Sequence, residues 1–136
     1  MKRNATAVWN GSGKEGNGVL TTQSTTLDST QYSYLSRFES GVGTNPEELI
    51  AAALSGCYSM KLAFVLGAAG FTPQKIETKC DISLENGAIS ASHINVKASV
   101  PEISKEQFDK AVEEAKAGCI IVNALKIDTT HEATLG

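Results

Sequence analysis

The longest apolar stretch of the chain runs from Leu49 to Gly70, and Lys61 is its only charged residue. Helix-start signals precede it: Asn45 can accept a hydrogen bond from a free backbone amide, Pro46 suits the first helical position, and Glu48 stands three residues after Asn45. The stretch is long enough to span a membrane. Its serines, its glycines and the polar segments on both sides favour a soluble helix instead. The pattern therefore predicts the central buried helix of a small domain.

Strand patterns lie on both sides of this helix. Before it, Ala5–Asn10, Gly18–Thr26 and Tyr32–Phe38 have strand composition. After it, alternating apolar residues predict two strands joined at Asn86-Gly87, which favours a type I′ turn. The alternation changes phase near Ser92-His93, and this predicts a β-bulge there.

The last third of the chain predicts a second helix and a closing strand. Ser104 and Gln107 form a capping box that starts a helix, and Gly118 is its expected C-cap. Residues 120–126 suit a short helix or strand, and residues 126–134 suit a strand. The whole order predicts an α+β fold, with antiparallel strands around the central helix and residues 1–136 in a single domain.

A glycine-rich segment, Gly11, Gly13 and Gly16, spells G-x-G-x-x-G. A dinucleotide fingerprint must lead into a helix whose N-terminus meets the pyrophosphate. Here the segment leads into the strand that begins at Gly18. We therefore interpret it as a hairpin loop and not as a nucleotide site.

Charge and cysteine content exclude several classes of function. The net charge is −3, and no basic run exists that would indicate nucleic acid or an anionic membrane as a partner. Three widely spaced cysteines and two histidines, with no C-x-x-C, form neither a disulfide framework nor a zinc motif. No apolar run follows the basic N-terminus, so a signal peptide is not expected. A reducing, cytoplasmic setting follows as the expectation.

The three cysteines differ in their predicted settings. Cys57 lies in the apolar helix among small residues, where a cysteine is most often an inert core residue. Cys80 faces the apolar side of a strand and is expected to be structural. Cys119 follows the C-cap Gly118, where the start of a new helix would favour the thiolate.

Residues 43–57, GTNPEELIAAALSGC, resemble the signature of the OsmC/Ohr family of thiol peroxidases. The Tyr32–Phe38 segment with Arg37, the Asn86-Gly87 hairpin and the late Cys119 match the family in order and spacing. The position of Arg37 is similar to that of the OsmC branch. One departure is Ile120, which stands where the family usually has a proline.

The resemblance implies a specific activity. Cys57 would be the peroxidatic thiolate and Cys119 the resolving thiol. Arg37 would hold Cys57 as a thiolate, and Glu47 would orient the guanidinium. The substrate would be an organic hydroperoxide, and a dithiol, such as that of a lipoylated protein, would be the reductant. Members of the family are also intertwined homodimers, and the resemblance implies no metal, haem or flavin.

One geometric constraint comes from the sequence itself. Glu47 and Cys57 are ten positions apart, which separates them by about 15 Å on a straight helix. They can share a site only if the helix breaks or if two chains cross, so we expect a composite site in a two-fold dimer. Three alternatives stay open: a dimeric binding protein for an apolar or thiol-reactive ligand, a structural dimer with Cys57 in its core, and purely structural roles for Arg37 at a strand end and Glu47 at the helix dipole.

Overall fold

The computed structural model describes residues 1–136, which form two compact units, Met1–Leu49 and Ile50–Gly136. The expectation of a single domain over the whole chain stays a prediction.

The first unit is a three-stranded antiparallel sheet with a short helix. The strands, paired in the order β1-β2-β3, and the helix are β1 (Ala5–Asn10), β2 (Asn17–Thr22), β3 (Thr30–Ser33) and α1 (Tyr34–Phe38). The glycine-rich segment joins β1 to β2, and the indole of Trp9 donates a 3.1 Å hydrogen bond to the carbonyl of Gly11 within it. The interpretation as a hairpin loop is confirmed.

The segment from Tyr34 to Phe38 is helical, so the prediction of a strand through Phe38 is wrong beyond Ser33. The reason is local. The Ser33 hydroxyl accepts from the amide of Ser36, and the Ser36 hydroxyl accepts from the amide of Ser33, which is a complete capping box. Aromatic composition favoured a strand, but the paired serines start a helix.

The second unit contains most of the long helix, a mixed sheet and two further helices. These elements are α2 (Pro46–Ala68, which begins just before the unit boundary), β4 (Lys75–Glu85), β5 (Ala88–Ser99), α3 (Lys105–Gly118), α4 (Ile120–Leu125) and β6 (Asp128–Leu135). The α+β class is therefore confirmed, and so is the capping box of Ser104 and Gln107.

The sheet of the second unit has the order β4-β5-β6 and differs from the expectation in one pairing. Strands β4 and β5 are antiparallel and turn at Asn86-Gly87, where both φ angles are positive, as a type I′ turn requires. Strand β6 pairs with β5 in parallel, because α3 and α4 carry the chain back to the same end of the sheet. The prediction of antiparallel strands is therefore corrected for this one pair.

The β-bulge lies at Ser90, opposite Ser83 and Leu84, and not at Ser92-His93. Ser92 occupies a core-facing position and is buried, with its hydroxyl 2.8 Å from that of Thr129. A polar residue on the buried face concealed the true position of the phase change.

Helix α2 buries only one side in this chain. The buried residues are Leu54, Tyr58, Leu62, Val65 and Leu66. On the opposite side Met60 and Phe64 are 61% and 69% exposed. In the single chain, the prediction of a central buried helix therefore holds for one side of α2. Helix α2 is long and apolar enough to span a membrane. The core helices of soluble proteins can have the same length and hydropathy, so these two properties do not make α2 a membrane helix.

Candidate active site

The structure brings two of the three cysteines together. Cys57 lies in the fourth turn of α2, and Cys119 lies at the junction of α3 and α4. Their Sγ atoms are 3.2 Å apart, with Cys119 as donor and Cys57 as acceptor. Both thiols are free, since a disulfide requires a separation of about 2.05 Å. A small relative movement would thus allow a bond to form between them.

The surroundings of Cys119 keep its proton in place. Burial raises the pKa of the Cys119 thiol, the neighbouring Cys57 acts in the same direction, and the amides of Ile121 and Val122 oppose the rise. The sequence predicted thiolate character for Cys119 from the helix start alone. The amides at the start of α4 favour the thiolate, but burial outweighs them, so that prediction is wrong in its net direction.

Ile120 occupies the first position of α4 and its side chain is exposed. Proline would also suit this position, because the first amide of a helix needs no intrahelical acceptor. With isoleucine at this position helix α4 still forms, and the sulfur atoms of Cys57 and Cys119 are still in contact. The departure from the usual proline therefore leaves the dithiol geometry intact in the reduced state.

A cavity of about 480 Å³ opens beside the thiols, and we call it the thiol cavity. Its lining residues are Ala53, Cys57, Met60, Lys61, Phe64, Gly118, Ile120 and Ile121. Its volume lies in the range of small-molecule sites. Apart from Lys61, the lining carries no charge, so the cavity suits an apolar ligand. Lys61 is a lining residue that was not predicted from the sequence. The signal was its position four residues after Cys57, which places both side chains on one helix face.

Arg37 and Glu47 are paired within the first unit. The Nε and Nη2 atoms of Arg37 lie 2.9 and 2.8 Å from Oε1 of Glu47. The Glu47 side chain is 13% exposed, and its second oxygen, Oε2, is buried without a hydrogen-bond partner. Glu47 therefore does not point into bulk solvent, and one strong acceptor remains unsatisfied.

Helix capping at α2 is performed by other residues. The side-chain oxygen of Asn45 accepts a 2.8 Å bond from the amide of Glu48, which confirms Asn45 as the N-cap. The Glu48 carboxylate accepts from the Thr44 hydroxyl at 2.6 Å, so the reciprocal half of the expected capping box is not formed. Neither arrangement uses Glu47, which leaves its carboxylate to Arg37.

The third cysteine is separate from the pair. Cys80 is buried on β4, and burial, followed by the nearby Asp81 carboxylate, raises the pKa of its thiol to about 11. Such a thiol is unreactive near neutral pH, because the thiolate is the nucleophile. The structural interpretation of Cys80 agrees with this environment.

Two adjacent free thiols beside an apolar cavity have the geometry that a redox-active dithiol requires. The family model described as OsmC-like protein matches residues 39–133. The chain is 41% identical over 133 residues to Peroxiredoxin OsmC of Escherichia coli (strain K12), covering 95% of this chain and 93% of that protein. The chain therefore belongs to the OsmC family.

Solved structures show the same fold. The OsmC-like protein of Mycoplasma pneumoniae superposes with a TM-score of 0.78 at 14% identity, covering 99% of this chain and 97% of that one. An organic hydroperoxide resistance protein from Elizabethkingia anophelis has a TM-score of 0.72 at 22% identity, with 100% and 96% covered. At these identities the likeness establishes the fold, and it confirms the predicted OsmC-like architecture.

Proposed function

We propose that the chain is a cysteine-based peroxidase that reduces organic hydroperoxides, acting as a homodimer in the cytoplasm. The observation that carries the proposal is the 3.2 Å contact in which the Cys119 thiol donates to the Cys57 sulfur. The two sulfurs take unequal roles because burial raises the pKa of the Cys119 thiol, whereas Cys57 opens onto the thiol cavity and is the sulfur that a substrate can reach. The names of the relatives, a peroxiredoxin and an organic hydroperoxide resistance protein, support the same reaction.

The first step is attack on the peroxide. The Cys57 thiolate attacks the terminal oxygen of ROOH, and the O–O bond breaks. Cys57 becomes a sulfenic acid, and the alkoxide leaves with a proton from solvent as ROH. The apolar lining of the thiol cavity favours a substrate with a hydrocarbon group over hydrogen peroxide, because burial of apolar surface contributes about 25 cal/mol per Å².

The second step is resolution by Cys119. Its sulfur attacks the Cys57 sulfenic acid, and water leaves with the thiol proton, so that a disulfide forms. The 3.2 Å separation means that little movement is required. A dithiol reductant then returns both cysteines to thiols and is itself oxidised to a disulfide. A lipoylated protein is a suitable reductant of this class.

The roles of Arg37 and Glu47 require a second chain. Along α2, Glu47 and Cys57 are ten residues apart, or about 15 Å. In a two-fold dimer, the Arg37–Glu47 pair of one chain approaches Cys57 of the other, and the guanidinium stabilises the thiolate. The exposed apolar side of α2 and the unpaired Oε2 of Glu47 support a contact that the single chain lacks.

The reaction can be tested with cumene hydroperoxide and two variants. The wild type should consume the peroxide when a dithiol is supplied, and Cys57→Ser should lose activity at least about a thousandfold, since the nucleophile is gone. Cys119→Ser should accumulate a sulfenic acid at Cys57, seen by mass spectrometry after dimedone trapping. Cys80→Ser is the matched control and should keep both activity and disulfide formation.

The proposed peroxidase activity would be contradicted if the wild type consumed no peroxide and Cys119→Ser gave no trapped sulfenic acid. That result would favour a non-enzymatic dimer whose apolar cavity binds a ligand. The outcome is unambiguous, because the same samples report on both cysteines.

A further inference from the structure

Lys61 is the only charged residue of its own chain that lines the thiol cavity. It lies one helical turn after Cys57 on α2, so the Cβ atoms of the two residues are about 5–6 Å apart. Its side chain is half-buried and lines the cavity, with its end near Gly118. A cation is thus held within a side-chain length of the sulfur at which the peroxide reacts.

The end of the Lys61 side chain lies beside Gly118, the residue that precedes the second cysteine. A methyl group built on Gly118 would lie 2.5 Å from Cε and 3.1 Å from Nζ of Lys61. The ammonium therefore occupies space that any larger residue at position 118 would take. Gly118 directly precedes Cys119, so Lys61 reaches across the cavity from α2 to the end of α3.

The Lys61 ammonium has no anionic partner in the chain. The ion pairs of lysine are formed by Lys75, Lys79 and Lys105, and those of arginine and histidine do not involve position 61. None of the other residues that line the cavity is acidic. A partly desolvated cation in apolar surroundings interacts strongly with an anion that enters the same space.

We propose that the site selects organic hydroperoxides that also carry a carboxylate, with the peroxide at Cys57 and the carboxylate on Lys61. The inference rests on the proposed peroxidase function and names the substrate class of that site. Because Lys61 and Cys57 are neighbours on one helix, the carboxylate must lie close to the peroxide. An aryl or short-chain hydroperoxide acid meets this requirement, and its hydrocarbon part would fill the apolar lining.

The test compares two substrates that differ only in charge. They are cumene hydroperoxide with a para carboxylate and the methyl ester of the same compound. The wild type should show a kcat/KM about tenfold higher for the acid, since the charge-assisted bond to Lys61 exceeds the cost of removing the carboxylate from water. Lys61→Met should lower the acid-to-ester ratio several-fold, mainly through KM, because the carboxylate is bound equally in the ground and transition states.

Two further measurements separate charge selection from other roles of Lys61. Lys61→Arg should keep most of the preference, and Lys110→Met, an equal change on the exposed side of α3, should leave it unchanged. High salt should lower the wild-type preference for the acid with little effect on the ester. The salt test uses the wild type alone, so it holds even if Lys61→Met does not fold.

Equal wild-type values for acid and ester would overturn the inference and leave the peroxidase intact. A Lys61→Met variant that loses activity on both substrates by the same factor would also overturn it, because Lys61 would then act on the thiols. If neither peroxide is consumed, the proposed function fails and this inference fails with it.

Discussion

The two sulfurs of the site have different surroundings, although they lie in contact. Cys119 is fully buried, and burial raises the pKa of its thiol, so it stays protonated and donates to Cys57. Cys57 is only partly buried and opens onto the thiol cavity. A substrate that enters the cavity therefore meets the acceptor sulfur first, which suits an order in which Cys57 reacts and Cys119 resolves.

A glycine in the family signature also has a definite physical reason. Gly43 has a φ of +104°, and a Cβ at this position would collide with the carbonyl of Gln31. The next residue, Thr44, donates a 2.9 Å bond to that same carbonyl. Gly43 therefore allows the chain to approach β3 just before α2 begins.

We expect Gly43→Ala to lower the free energy of unfolding by at least about 2 kcal/mol, because the substitution adds both backbone strain and a backbone collision. Urea denaturation followed by circular dichroism measures the loss. Gly13→Ala is the matched control, since a Cβ there has no neighbour within 4 Å, and it should change stability by less than about 0.5 kcal/mol. Equal effects of the two variants would contradict this explanation.

At the scale of elements, the two long helices, α2 and α3, begin at short polar capping motifs that can be recognised in the sequence. In α3 the hydroxyl of Ser104 accepts from the amide of Gln107 at 3.1 Å, and the Gln107 side chain accepts from the amide of Ser104 at 3.0 Å. Four apolar residues of this helix then pack into the core: Phe108, Ala111, Val112 and Ala115. Cys119 is placed by the end of this same helix.

Ser104→Ala should lower the free energy of unfolding by about 1 kcal/mol, because one orphan amide at the start of α3 loses its acceptor. Thermal unfolding of the reduced protein should show the corresponding fall in Tm. Ser83→Ala removes an exposed hydroxyl that forms no hydrogen bond within the chain, and it should have almost no effect. An unchanged Tm in Ser104→Ala would mean that the box contributes nothing to α3.

At the scale of the whole molecule, helix α2 has more apolar surface than one chain covers. Only 28% of its most apolar 18-residue window is buried. The exposed side includes Ala52, Ala53, Gly56, Met60 and Phe64. Small residues near the middle of this side permit close approach of a second helix. A monomer that exposed this surface would be prone to association.

We expect Phe64→Glu to weaken the proposed dimer, because it places a charge in the apolar surface that two chains would share. Sedimentation velocity over a range of concentrations should show a dimer for the wild type and a larger monomer fraction for the variant. Val8→Glu, at an exposed valine of β1, serves as the control for an added charge. A wild type that sediments as a monomer at micromolar concentration would contradict the dimer and the composite site together.

Much of this architecture follows from local patterns. The apolar run with Asn45 and Pro46 at its start predicts α2, the Asn86-Gly87 pair predicts the hairpin, and Ser104 with Gln107 predicts α3, all as observed. These signals are reliable because capping and tight turns depend on residues close together in the sequence. The errors arose where a polar residue took a core position, at Ser92, or where serine pairs started a helix in a strand-like segment, at Ser33.

The sequence by itself therefore determined the α+β class, the elements and the residues whose side chains can react, since these depend on short-range periodicity and on residue type. Only the tertiary structure decided three further matters. It placed Cys57 and Cys119, 62 positions apart, in direct contact, it aligned β6 parallel to β5, and it brought Lys61 into the thiol cavity. Contacts between distant segments depend on how whole elements pack, and packing also decided that burial outweighs the helix amides at Cys119.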